Sequence, residues 1–288
     1  MKFRLIIIFF NILIIAVFVM VLFLPVGTLG TGFVKDFWMQ FWIFPLFLFL
    51  LLVLIDVFFI INRKFYRLIE SDDWPLLLDF LETEFYGKSK GKKGLNLNSF
   101  RIRAFISSAF LAGQTYRLEK LEQLLREKQP DLFASFFLSL GLTRLIKNDS
   151  LALESYYQEV FSLKYKIKEK GFCIWLYCFA LLINKNVKEA ETHLIKLLLE
   201  KDLLLRLVVL YLLHTAWELS GPYSETQQNL LPWPFEKEKK SLLAQLSAKR
   251  FAAIKKRDTE NILFYALAQF IEQAYSWLCS PGNQPAEK

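Results

Sequence analysis

Residues able to do chemistry are few in this chain, which has two histidines and three cysteines. His193 stands beside Leu194, and His214 follows Tyr211-Leu212-Leu213. An imidazole in an apolar pocket could ligate a heme iron, but packing within a helix accounts for both residues more simply. Cys173 and Cys178 are five apart, and on a helix they would point about 140° apart, too far to grip one metal together. Together with Cys279 they form no disulfide framework, as expected of buried thiols in a reducing compartment. The carboxylate pairs Asp72/Asp73 and Glu82/Glu84 sit at helix ends, where capping and the helix dipole give the former a role. In Gly87–Gly94, Gly87 and Gly91 have three residues between them, Lys93 stands where a phosphate-binding loop needs Ser or Thr, and no strand precedes. No catalytic, metal-binding or cofactor-binding residue is assigned, and a protein that is not an enzyme and holds no cofactor is expected.

Two further polar residues stand out by their surroundings. Asn11 is the polar residue of the apolar stretch Leu5–Leu24, and Asp56 is the charge in Phe37–Ile61. At 1.5 Å per residue each stretch can cross a hydrocarbon core of about 30 Å. The first is longer than the apolar core of a signal peptide, and no small-x-small cleavage site follows it. Lys2 and Arg4 flank one end of the pair and Arg63, Lys64 and Arg67 the other, so the positive-inside rule places both termini in the cytoplasm. Trp38 and Trp42 then fall in the outer aromatic belt. In an antiparallel hairpin Asn11 and Asp56 reach similar depth, and a hydrogen bond between them would fix the register. The simpler expectation is that the second segment overshoots the bilayer. Asp56 would then lie near the headgroups, with Phe58-Phe59-Ile60-Ile61 as the apolar face of a following helix.

The chain is 54% hydrophobic with a net charge of +8. Beyond residue 64 the surplus is modest and spread out, which suits contact with anionic lipid and argues against nucleic acid as a partner. Lys88, Lys90, Lys92 and Lys93, with Arg63, Lys64 and Arg67, are the candidate membrane-surface cations. The elements that must position all these residues are helical, because strand alternation is missing from residue 65 onward. Asp72-Asp73-Trp74-Pro75 reads as a cap with proline in the first turn of a helix to about Phe85. Further helices are predicted near 99–112, 115–127, 131–147, 150–168, 172–184, 187–200, 203–219, 236–256 and 259–279. Residues 280–288 read as a disordered tail.

Leu121-x-x-Leu124-Leu125 recurs as Tyr157-x-x-Val160-Phe161 and as Leu194-x-x-Leu197-Leu198, at shifts of 36 and 37 residues. A period of that size suggests a helical solenoid. Phe137, Leu140 and Gly141 fit the first helix of a repeat, Tyr157 the second, and Ala190 and Leu194 the second helix of the next. On these residues the stretch 70–200 resembles a degenerate tetratricopeptide (TPR) array. It departs from that pattern in its period, in Cys178 at a turn glycine, and in Leu153 and Arg117 at small positions. The layout also resembles the HemY-type membrane proteins, with two N-terminal spans, a basic juxtamembrane stretch and helical repeats.

The expected organisation is all-α: a transmembrane hairpin (1–64), a juxtamembrane helix and basic loop (65–98), TPR-like repeats (99–219), a C-terminal helical segment (220–279) and a tail. The expected function is that of an inner-membrane scaffold or adaptor binding protein partners on a concave helical surface. The alternatives are a carrier of a tetrapyrrole or lipid, or a structural subunit of an envelope complex such as a secretion or flagellar apparatus.

Overall fold

The computed structural model describes residues 3–30, 34–86, 97–220, 235–258 and 262–280. Every regular element among the described residues is a helix, as the sequence predicts. The chain forms two compact units, residues 1–112 and 113–288. Lys88, Lys90, Lys92, Lys93 and the predicted tail beyond residue 280 lie outside the described residues.

The first unit holds α1 (Phe3–Leu29), α2 (Val34–Phe41), α3 (Ile43–Glu70), α4 (Trp74–Tyr86) and α5 (Ser99–Leu111). The predicted second apolar segment is divided at Trp42. Pro45 explains the break: it has no N–H for the Phe41 carbonyl, and its ring collides with that carbonyl in a continuous helix. Beyond the break α3 runs unbroken to Glu70, so Phe58–Ile61 does not open a new helix. Ile60 and Ile61 are 70% and 72% exposed, and no helix of this unit covers them.

Four residues later α3 changes character. Phe65 is buried, set edge-on to Phe100 of α5 at 5.6 Å between ring centres. Arg101 of α5 donates to Asn62 of α3 and to Glu84 of α4, each at 2.7 Å, so one guanidinium ties three helices together. The predicted cap of α4 is present, Asp73 accepting from the Leu76 N–H at 3.2 Å, and Asn98 caps α5 in the same way.

The second unit holds α6 (Arg117–Lys128), α7 (Pro130–Ile146), α8 (Ser150–Gln158), a 3₁₀ turn (Glu159–Phe161), α9 (Lys170–Ile183), α10 (Val187–Leu197) and α11 (Leu203–Ser220). It continues with α12 (Phe235–Gln245), α13 (Ala248–Asp258) and α14 (Ile262–Leu278). From α6 to α11 each helix packs on the next, and α9 also touches α7 and α11. Helices α7, α9 and α11 therefore form one layer, with α6, α8 and α10 alongside. Asn148 and Lys185 take left-handed conformations (φ 54° and 65°) just past α7 and α9, and Asp149 and Asp202 cap α8 and α11. Two predicted helices are shorter than expected. The one drawn over 150–168 stops at the 3₁₀ turn, since of the lysine-rich stretch 164–168 Ile167 alone is buried. The one drawn over 236–256 breaks at Ser247, whose hydroxyl accepts from the Arg250 N–H.

Helix α14 folds back onto α7 and α11. Its Phe270 meets Trp175 and Phe179 of α9 and Tyr211 of α11 at 5.0, 6.1 and 5.2 Å. The layer that stacked helix pairs would offer as a concave surface is thus covered by the chain's own last helix.

Candidate functional site

The six repeat positions all lie in the core. Phe137, Leu140 and Gly141 are buried in α7, Tyr157 in α8, and Ala190 and Leu194 in α10. The structure brings the first four together. A Cβ on Gly141 would stand 2.5 Å from the rings of both Tyr156 and Tyr157. Those rings are fixed: the Tyr156 hydroxyl donates to the Phe137 carbonyl at 2.9 Å and the Tyr157 hydroxyl to the Leu138 carbonyl at 2.8 Å. Burial raises both phenols well above their ordinary pKa, so they remain neutral donors.

Beside this interlock Glu122 of α6 accepts from Arg126 and from Arg144 of α7. Arg126 also holds Glu159 with two bonds, at 2.7 and 3.2 Å. The Arg144 guanidinium lies 4.0 Å from the Tyr156 ring centre and that of Arg126 4.2 Å from Phe133. Charge and ring faces together join α6, α7, α8 and the 3₁₀ turn.

Helix α9 faces two ways. Trp175 and Phe179 meet α14, while Tyr177, two residues from each and so on the far side at 100° per residue, points away. There it floors an open cleft of about 470 Å³ between the α8 end and α10. Phe161, Tyr177 and His193 form a triangle of rings with centres 5.0 to 5.7 Å apart. The Tyr177 hydroxyl donates to Glu189 at 2.6 Å, and Asn186 donates to the other oxygen at 2.7 Å. The Tyr177 phenol is pushed up by burial, then by its bond to Glu189 and by the charges of Glu189 and Glu154. Burial lowers the His193 pKa and Lys196 adds to that, against the pull of Glu189, so the imidazole is neutral at pH 7. Ser155, Gln158, Glu159 and Ser162 form the rim.

The sequence pointed to Phe161 for another reason. The 36-residue register places it with Leu125 and Leu198, which are buried at 0% and 2%, yet Phe161 is 48% exposed. The winding tightens to 3₁₀ at Glu159, and the change of about 20° per residue turns the ring out of the core. The cleft residues Tyr177 and Glu189 carry no signal of their own in the sequence, since neither belongs to the repeated positions. His214 lies elsewhere, half-buried against the Trp277 ring at 5.0 Å. Cys173 and Cys178 are buried free thiols and Cys279 is a partly buried one. Among the described residues no group of three or more His, Cys, Asp or Glu is placed to hold a metal.

In the first unit, the Asn11 amide donates to Asp56 at 2.9 Å, so α1 and α3 pack in a register that sets the two residues facing each other. Beyond Asp56 no new helix starts: α3 continues, and its exposed apolar face extends past Asp56 to Ile61. Asn11→Leu should leave the Asp56 carboxylate without this donor and loosen α1 from α3 by about 1 kcal/mol. Asn11→Leu with Asp56→Leu should restore most of that. Thermal unfolding in nanodiscs reads both, and equal stability of the single variant and the wild type would contradict the bond's role. Arg63, Lys64 and Arg67 are exposed at the end of the apolar stretch, and Lys64 also lies 5.0 Å from the Phe80 ring centre. By length and apolarity, one helix among the described residues can cross a membrane: Leu46–Glu70 within α3, 25 residues long, whose 18-residue apolar window has a mean hydropathy of 2.5 and no buried residue. Ile8–Val21 of α1 is apolar but shorter.

Comparison with known proteins adds a boundary. A family described as an uncharacterised Treponema protein matches residues 117–280, more than half of the chain. The chain belongs to that family. The match begins at the first residue of α6 and ends two residues past α14, so the family's unit takes in the covering helix along with the stack. An uncharacterised protein of Treponema pallidum (strain Nichols) is 23% identical over 172 residues, 59% of this chain and 52% of the relative. The chain therefore spans about half the length of that relative. No solved structure gives a significant match.

Proposed function

We propose that this protein is a non-enzymatic scaffold, anchored in the cytoplasmic membrane by the α1–α3 hairpin, that presents a TPR-like helical stack to a protein partner on the cytoplasmic side. Helix α3 carries this reading. It is one rigid element whose first part is apolar and bare and whose last turns are clamped by Asn62, Phe65, Glu84 and Arg101 into a water-facing helical layer. A helix built that way joins an apolar anchor directly to the packed helices α4 and α5 of the same unit. The reading of two spans and cytoplasmic termini is supported by Lys2 and Arg4 before the first apolar stretch in the sequence, by Arg63, Lys64 and Arg67 after the second, and by the Asn11–Asp56 bond. Arg63, Lys64 and Arg67 lie against anionic headgroups, with the lysines of the 87–94 stretch as their counterpart in sequence.

Confinement to a surface turns a weak contact with a second membrane protein into a useful one, because the effective concentration rises. The α7–α9–α11 layer is covered by α14, which directs the partner to the opposite side of α9, where the cleft is open. The carrier alternative has less support: Trp175, Trp217, Tyr157 and Phe137, large rings that could line a ligand pocket, are fully buried in the packed core.

Purification of the tagged full-length chain from membranes in mild detergent tests the proposal by mass spectrometry and absorption spectroscopy. One protein at stoichiometric yield and no chromophore is the expected result. A Soret band, or bound lipid without a protein partner, would replace the scaffold by the carrier.

A further inference from the structure

The cleft between the α8 end and α10 has features that reach beyond an open surface. Its aromatic surface is the exposed Phe161 ring and the half-buried His193 ring, with the buried Tyr177 ring packed edge-on against both. Its charge comes from Glu189, whose two oxygens are held by neutral donors, the Tyr177 hydroxyl and the Asn186 amide. Neither donor cancels the carboxylate's charge. Glu154, one turn before the rim residue Gln158, is likewise held by a neutral amide, that of Asn184, and its field reaches Tyr177. Glu159 on the rim is matched by Arg126. Lys196, one turn along α10 from His193, supplies the nearby positive charge. Among the described residues no cation forms an ion pair with Glu189 or Glu154, so the carboxylate lining the cleft is open to a cation from outside.

Ring faces beside an unmatched carboxylate recognise one kind of group well. A planar guanidinium stacks on aromatic faces and donates from its edge to a carboxylate in the same pose. An ammonium ion does the second but gains less from flat stacking, and it loses more hydration on entry. Ser155, Gln158 and Ser162 on the rim add hydroxyl and amide groups that can bond the backbone of an extended segment on either side of the inserted side chain. We propose that this cleft is the docking site for an arginine side chain on an extended segment of the partner protein, the guanidinium lying over the Phe161 and His193 rings and donating to Glu189. The inference rests on the scaffold reading and names the chemistry of its contact.

The chain carries its own reporter. It has two histidines, His193 in the cleft and His214 against Trp277 away from it. Full-length protein labelled with ¹⁵N-histidine, in nanodiscs, is titrated with the end-blocked peptide Gly-Ser-Arg-Ser-Gly and with its lysine and citrulline counterparts. Expected is a saturable shift of the His193 signals at about 1 mM arginine peptide, a range typical of one anchoring side chain, with His214 unmoved. The lysine peptide should bind several-fold more weakly, and the citrulline peptide, which keeps shape and loses charge, should not bind. Glu189→Gln removes the charge and leaves one amide oxygen to accept from the Tyr177 hydroxyl or the Asn186 amide; it should weaken the arginine peptide about tenfold, and Phe161→Ala, at an exposed ring, should do the same. Unmoved His193 signals, equal binding of citrulline, or parallel movement of both histidines would overturn the proposal. A protein partner that co-purifies while the peptide fails to bind would sink this inference alone; binding of the peptide with no partner in the membrane would leave the cleft and remove the scaffold.

Discussion

Gly141→Ala is expected to lower the unfolding midpoint of the full-length protein by roughly 5–10 °C, from an overpacking cost of about 3 kcal/mol in a unit of this size. The added methyl group meets Tyr156 and Tyr157 at 2.5 Å, inside any real carbon–carbon contact. A free ring end would swing aside. These cannot, because each hydroxyl is the donor to a carbonyl of the same helix that carries Gly141. Moving a ring breaks a buried hydrogen bond and disturbs the stacking of Tyr156 on Phe137, whose ring centres are 4.5 Å apart. Gly141→Trp should prevent assembly of the second unit altogether. Gly27→Ala is the control, since nothing lies within 4 Å of a Cβ there. Thermal unfolding of the three variants in nanodiscs checks the ranking; a Gly141→Ala midpoint within a degree or two of wild type would show that α7 and α8 are not packed this closely.

The second large effect is expected at Glu122. Its side chain is 10% exposed and accepts from two guanidiniums. Glu122→Ala leaves the half-buried Arg144 with its face on Tyr156 and no carboxylate, while Arg126 keeps Glu159. Removing one partner of a buried pair costs about 3–5 kcal/mol; partial exposure of both arginines brings the expected loss nearer 2–3 kcal/mol. Glu119, three residues earlier on the same helix, pairs with Lys147, but both are about half exposed. Glu119→Ala should cost no more than about 0.5 kcal/mol. Denaturant midpoints of the two alanine variants, measured side by side, test this. Equal losses would mean that solvent reaches Glu122 as freely as Glu119.

Much of the helical framework could be read directly from residue patterns. Asp73 before Trp74-Pro75, Asn148-Asp149 and Asn184–Asn186 mark real helix boundaries because caps and left-handed turns are local devices, set by a few neighbouring side chains. Gly141 was legible for a similar reason, as a small residue in a repeated pattern with a bulky partner one helix away. What escaped depends on distance in the chain. The fold-back of α14 onto α7, α9 and α11 joins residues about a hundred apart, and nothing in the local pattern of 262–278 tells a covering helix from a separate one. The cleft escaped because it is made by a defect: the 3₁₀ turn at Glu159–Phe161 turns outward a ring that the repeat assigns to the core. Asn11 and Asp56 lie between these cases. Their facing positions follow from counting residues along two antiparallel helices, but the bond between them depends on how closely α1 packs on α3.

The account depends most on the claim that α1 and α3 both cross the bilayer, so that the chain returns to the side from which it started. Single cysteines placed near residue 2, at Gly30 in the turn after α1 and beside Arg67, in a background with the native thiols replaced, can be labelled in intact cells with a membrane-impermeant maleimide and again after permeabilisation. The two outer positions should react only after permeabilisation, and the turn should react in intact cells. Reaction of the residue-2 position in intact cells, with the Arg67 position still protected, would mean a single span and would contradict the hairpin anchor.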